Sequence, residues 1–138
     1  MSSNPITIEP MYVVDTHALI WYLTTDKKLG ANARQIFRAA EQGDTLLILP
    51  AIMLAELYYA NGKHNWFSDF NAVYQRISSQ PYFQLLPLEP QHIIEFAQDM
   101  AVPEMHDRII TGVARRLQAP MLTSDPLIIK ANIVSTVW

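Results

Sequence analysis

Apolar positions along the chain switch repeatedly between a strand-like and a helix-like pattern. Short apolar runs at residues 12–14, 46–49, 83–86 and 121–123 predict strands, and a last one is expected at 134–137. Between them, apolar residues recur every three or four positions over 17–23, 31–42, 52–60, 65–79, 90–101 and 106–117, the spacing of amphipathic helices. Pro126 to Lys130 adds a possible helical turn. Thr16 is the expected N-cap of the first helix, Asp107 lies at the start of the helix over 106–117, and Gly43 and Asn61-Gly62 are expected stops. Gln118-Ala119-Pro120 ends the helix before 121–123, because proline cannot continue it. Leu46-Leu47-Ile48-Leu49 has no polar face, as suits a parallel strand covered on both sides. The alternation predicts an α/β three-layer sandwich, with a mostly parallel central sheet and helices on both faces.

Residues 1–10 read as a flexible N-terminal tail, and 11–138 as one domain, the count that 138 residues suggest. Half the residues are hydrophobic and 17% are charged, a balance that supports a core and argues against disorder. There is no cysteine, hence no disulfide, thiolate ligand or thiol nucleophile. The first residues lack the basic and apolar regions of a signal peptide, and the run from Leu46 to Leu54 is interrupted by Pro50. A cytoplasmic location without membrane contact is therefore expected. The net charge of −3 disfavours a broad basic nucleic-acid surface, but not an enzyme that meets a few phosphates through metal ions.

Four acids stand in surroundings unlike those of solvated surface acids. Asp15 closes the strand at 12–14, Glu56 interrupts an apolar helix, Asp107 opens the helix at 106–117, and Asp125 follows the strand at 121–123. Each has a structural alternative: a strand-end turn for Asp15, a cap or dipole partner for Asp107, an ordinary Ser-Asp-Pro turn for Asp125. Glu56 resists such a reading, since burying an unpaired glutamate costs several kcal/mol. Three of the four fall near the carboxyl edge of the expected sheet, where open α/β folds bind ligands. The fourth sits on a helix that starts there. Two carboxylates about 5 Å apart repel by roughly 3 kcal/mol at an effective dielectric near 20, so the cluster must take up protons or a cation. All-oxygen donors suit Mg²⁺ or Mn²⁺, and one or two such ions can activate water against a phosphodiester.

The blocks VVDTHALIWYL, LPAIMLAELYY and HDRIITGVARRLQAPMLTSD, in this order, resemble a PIN domain, and more narrowly the VapC-type toxins of toxin–antitoxin pairs. The resemblance runs from Tyr12 to the C-terminus. It implies that Asp15, Glu56, Asp107 and Asp125 form a Mg²⁺ or Mn²⁺ site for endonucleolytic RNA cleavage, with Thr123 helping to order it and Thr16 doing similar work. It also implies a homodimer, and an antitoxin whose tail carries a basic side chain into the acidic crevice. The alternatives are an RNA-processing PIN nuclease without an antitoxin, an inactive PIN-like binding module, and a receiver-like signalling domain. The last would need paired acids after the first strand and a late lysine, which Asp15 and Lys130 match poorly.

Other residues read less sharply. His17 and His106 each neighbour a site acid and are expected as supporting partners or solvated caps. Trp66, Phe67, Phe70 and Tyr74 have helical spacing that favours packing over base stacking. Arg108, Arg115 and Arg116 read as a solvated helix face, and Glu95, Asp99 and Glu104 as solvated acids.

Overall fold

The computed structural model describes residues 6–138. A five-stranded sheet forms its middle layer: β1 (Met11–Val14), β2 (Leu46–Pro50), β3 (Phe83–Leu86), β4 (Met121–Leu122) and β5 (Thr136–Val137). The spatial order is β3-β2-β1-β4-β5 and every pairing is parallel. The chain steps outward from β1 to β3, then returns to the other flank of β1 for β4. Connections therefore reverse between β1 and β4, and the crevice beyond their carboxyl ends is the usual ligand position in such sheets. A receiver domain has the order 2-1-3-4-5, so the receiver-like alternative is excluded.

Side chains alternate strictly across the sheet because successive strand residues point to opposite faces. Tyr12, Val14, Leu47, Leu49 and Leu122 pack on one face under α1 (Thr16–Leu23), α2 (Ala31–Glu41), α3 (Ile52–His64) and α4 (Phe70–Ser78). Val13, Ile48 and Met121 pack on the other, against α6 (Met105–Leu117) and α7 (Pro126–Ala131). A short α5 (Pro90–Ile94) and a 3-10 turn at Phe96–Asp99 lead into α6. The three-layer sandwich is the architecture expected. No helix among the described residues is long and apolar enough to cross a membrane.

Several boundaries differ from the sequence reading, each for a physical reason. Asp15, not Thr16, caps α1: its side chain accepts from the Thr16 N–H, and Thr16 becomes the first helical residue. The expected stop at Asn61-Gly62 lies inside α3, which continues to His64 and ends at left-handed Asn65. The Asn61 amide both donates to and accepts from the Phe67 backbone at 2.8 Å, so it braces the following loop instead of breaking the helix. The helix expected over 65–79 accordingly starts only at Phe70, with Asp69 as its cap. Of the expected tail, residues 1–5 lie outside the described residues. Ile6 packs on the core and Glu9 accepts from Thr45 at 2.7 Å, so the second half is held rather than loose.

The helix expected over 90–101 breaks after Ile94, where two acids turn toward α6. Arg115 donates from Nε to Asp99 Oδ1 and from Nη2 to Glu95 Oε1, both at 2.8 Å, and Arg116 reaches Glu95 Oε2 at 2.5 Å. Asp99 is fully buried. These groups are braces, not the solvated residues the sequence suggested, and Arg108 likewise donates to the carbonyl of Val102. Asp99 also presses on the one glycine of α6: a Cβ at Gly112 would stand 2.8 Å from Asp99 Oδ2. Gly112→Ala is expected to lower stability by about 1–3 kcal/mol in chemical denaturation. In an Asp99→Ala background its added cost should shrink; full additivity would show that the two residues do not press on one another.

Candidate active site

The carboxyl edge at the β1–β4 reversal gathers the four acids from distant parts of the chain. Asp15 follows β1 directly and is 6% exposed. Its Oδ2 accepts from the Thr123 hydroxyl at 2.7 Å and its Oδ1 from the Thr16 N–H at 2.9 Å. Thr123 Oγ1 in turn accepts from the Asp125 N–H at 3.1 Å. On the other side, Thr16 Oγ1 donates to Glu56 Oε1 at 2.8 Å. An unbroken hydrogen-bonded path thus runs Asp125–Thr123–Asp15–Thr16–Glu56. Asp125 caps α7 by accepting from the Leu127 N–H at 2.8 Å, which aims its second oxygen elsewhere.

Asp107 completes the set without joining that path. It sits in the first turn of α6, two residues inside Met105, and the cap is Glu104, whose Oε2 accepts from the Asp107 N–H at 2.8 Å. The Asp107 carboxylate has no hydrogen-bond partner among the described residues. Its pKa is pushed up to about 7, first by burial and then by the charges of Asp15, Asp125, Glu104 and Glu56. Asp15 is also raised, by burial, with the Thr123 hydroxyl and the Thr16 N–H pulling it back. Glu56 is raised by burial against the pull of Thr16 and His106, with Asp15 and Glu104 adding repulsion. Each acid is thus within electrostatic reach of others in the set. This is the crowding that favours protons or a cation.

Glu104 and His106 enlarge the site beyond the sequence reading. Ligand atoms of Glu56, Glu104 and His106 lie within 4.8 Å of one another, the tightest metal-compatible trio among the described residues. The four acids meet more loosely, joined by the two threonines and by repulsion. His106 Nδ1 lies 2.7 Å from Glu104 Oε1. Burial pushes the Glu104 carboxyl up, but bonds from the Asp107 and His106 backbones and the His106 ring carry it below the usual range. The one local signal for Glu104 was its place three residues before Asp107, a capping interval. His17 is exposed and tilts against Trp21 at 5.7 Å, and it makes no hydrogen bond to Asp15 among the described residues. Trp66 and Phe67 pack partly on the core, while Tyr58 and Tyr59 both face solvent.

The donors at this edge are carboxylate oxygens, flanked by hydroxyls and a single imidazole. That chemistry fits a hard divalent ion better than zinc or copper. Burial raises Asp107 most, and the repulsion added by its acidic neighbours is what such an ion would relieve.

Comparison with curated proteins gives no match. Among solved structures, this chain is similar to VapBC2 from Rickettsia felis bound to a DNA fragment from their promoter, with a TM-score of 0.65, 12% identity, and 92% of this chain and 97% of the other covered. It is also similar to FitAcB from Neisseria gonorrhoeae, with a TM-score of 0.65, 19% identity, and 93% and 97% covered. FitAB bound to the IR36 DNA fragment follows at 0.63 and 18%, with 92% and 94% covered. At these identities the likeness shows the fold. The family model for the PIN domain matches residues 12–133, nearly the whole of the sheet and its helices, and the chain belongs to the PIN domain family.

Proposed function

We propose that this protein is a divalent-metal-dependent endoribonuclease and the toxin of a toxin–antitoxin pair, held silent by a partner antitoxin. The observation that carries the nuclease reading is the hydrogen-bonded path Asp125–Thr123–Asp15–Thr16–Glu56, with Asp107 crowded beside it. Membership of the PIN family supports hydrolysis of nucleic acid. The VapBC and FitAB complexes among its structural neighbours support the toxin setting. Homodimerisation, inhibition by a basic antitoxin side chain and action on RNA belong to the same proposal.

In this mechanism Asp15, Glu56, Asp107 and Asp125 would hold one or two Mg²⁺ or Mn²⁺ ions. An ion held there would lower the pKa of a coordinated water and offset charge on a phosphodiester. The protein's share is preorganisation. Thr123 and the Thr16 N–H each fix one Asp15 oxygen and the Thr16 hydroxyl fixes one Glu56 oxygen, so the orientation of both acids is set before any ion arrives. Asp107, whose carboxylate has no hydrogen-bond partner among the described residues and whose pKa is pushed up to about 7, must lose its proton for the full set to act.

Total RNA incubated with the protein should be cut in the presence of Mg²⁺ or Mn²⁺ and left whole with EDTA; cutting that EDTA does not stop would overturn the metal mechanism. Asp107→Asn should lower the cleavage rate by roughly a hundredfold or more with an unchanged circular dichroism spectrum. Retained activity would remove Asp107 from the site.

The raised Asp107 pKa gives a separate, activity-free test. An acid whose folded pKa lies above its unfolded value weakens the fold progressively as pH rises from about 4 to about 7, and fully above that. In metal-free buffer, Asp107→Asn should therefore melt higher than wild type at pH 8, with the difference gone near pH 4. Mg²⁺ should raise the wild-type Tm at pH 8, and the apparent affinity should drop about tenfold per unit below pH 7, as one proton competes with the ion. A melting temperature indifferent to both pH and Mg²⁺ would count against the crowded-acid site.

A further inference from the structure

The helix face that brings Glu56 to the site does not end there. Tyr59 and Lys63 follow Glu56 by three and seven residues, so they share its side of α3, roughly 5 Å and 10 Å further along the axis. Ala60 lies on the same face, and with Ala55 it leaves the floor between these side chains low. The result is a cleft of about 430 Å³ with Glu56 and His106 at one end and Lys63 and His64 at the other. The cleft shares Glu56 and His106 with the candidate active site.

Three side chains give this cleft its character. Tyr59 is 74% exposed, and its ring meets that of the less exposed Tyr58 edge-on. Lys63 has no ion-pair partner among the described residues, although the chain is net acidic. His64 is held as a wall by stacking on Trp66, ring centroids 4.5 Å apart and planes 16° off parallel. A flat ring and a free cation, set in series behind a phosphodiester-cleaving centre, match the two repeating parts of a single-stranded nucleic acid. An acidic or purely apolar peptide would leave either Lys63 or Tyr59 without a counterpart.

Resting on the nuclease reading above, we propose that this cleft binds the nucleotide next to the scissile phosphate of single-stranded RNA, its base on the Tyr59 ring and its phosphate on the Lys63 ammonium. The site then grips RNA by stacking and by one ionic contact in a protein whose overall charge repels phosphate. Stacking tolerates any base, so the cleft supplies affinity and register rather than a strict sequence preference.

The test is cleavage kinetics on a short single-stranded RNA, with anisotropy of the same labelled RNA measured in Ca²⁺ to read binding apart from turnover. Tyr59→Ala should raise KM and the RNA Kd by about 5- to 100-fold with kcat nearly unchanged, and Tyr59→Trp should restore both. Lys63→Gln should weaken binding and flatten the dependence of log Kd on log salt by about 0.7, the share of one phosphate contact on a single strand. Both residues are exposed, so thermal melting should show all variants folded. Wild-type cleavage with Tyr59→Ala and Lys63→Gln indistinguishable from it would overturn the cleft and leave the nuclease reading standing. Variants that keep RNA kinetics but lose affinity for a co-purified polypeptide would overturn RNA as the occupant in favour of a protein. A wild type that neither binds nor cuts RNA would overturn both proposals.

Discussion

The arrangement depends on keeping a carboxylate buried at the end of the central strand. Asp15 follows β1, the central strand of the five, and its side chain has little access to water. A group in that place is tolerable only when its oxygens are bonded. Thr123 supplies one bond from beyond β4 and the turn into α1 supplies the other. The same demand fixes the geometry around it: the hydroxyl that satisfies Asp15 also orders Asp125, and the residue that bonds its other oxygen also bonds Glu56. Satisfying one buried charge therefore lines up three acids.

The fourth acid is governed by a different constraint. Asp107 rides on α6, and α6 is braced from outside the sheet by Arg115 and Arg116 gripping Asp99 and Glu95. Gly112 lets the turn at Phe96–Asp99 lie close against the helix. A structural ion pair two turns from Asp107 thus sets where its carboxylate sits. The outcome is crowding, with hydrogen bonds for Asp15 and Glu56 but none for the Asp107 carboxylate among the described residues.

Much of this was legible along the chain because the signals are local. A polar residue at the end of an apolar run marks a strand's carboxyl edge, and Asp15 and Asp125 both stand at such ends. Glu56 shows itself by standing alone in an apolar helix. What could not be read are features that depend on a distant partner. Asn61-Gly62 carries the composition of a stop, yet a bond from the Asn61 side chain to the Phe67 backbone lets α3 run through it. Asp99 looks like any helix-surface acid until Arg115, sixteen residues later, folds over it. Glu104 was hidden for the opposite reason, since a capping acid is common enough to attract no notice. The exposed Tyr59 and Lys63 carry no local mark at all; only the cleft they share with Glu56 sets them apart.

The long reach of the Thr123–Asp15 bond has a consequence for the protein's birth. The two residues are 108 positions apart, and β1 cannot acquire its β4 neighbour until nearly the whole chain has left the ribosome. At roughly 5–20 residues per second, about 5–20 seconds separate the emergence of the two. Any activity that needs Asp15 held from both sides is therefore withheld from the nascent polypeptide until Thr123 has emerged. That delay is written into strand order, since the last-made neighbour of β1 is the one that completes the environment of Asp15.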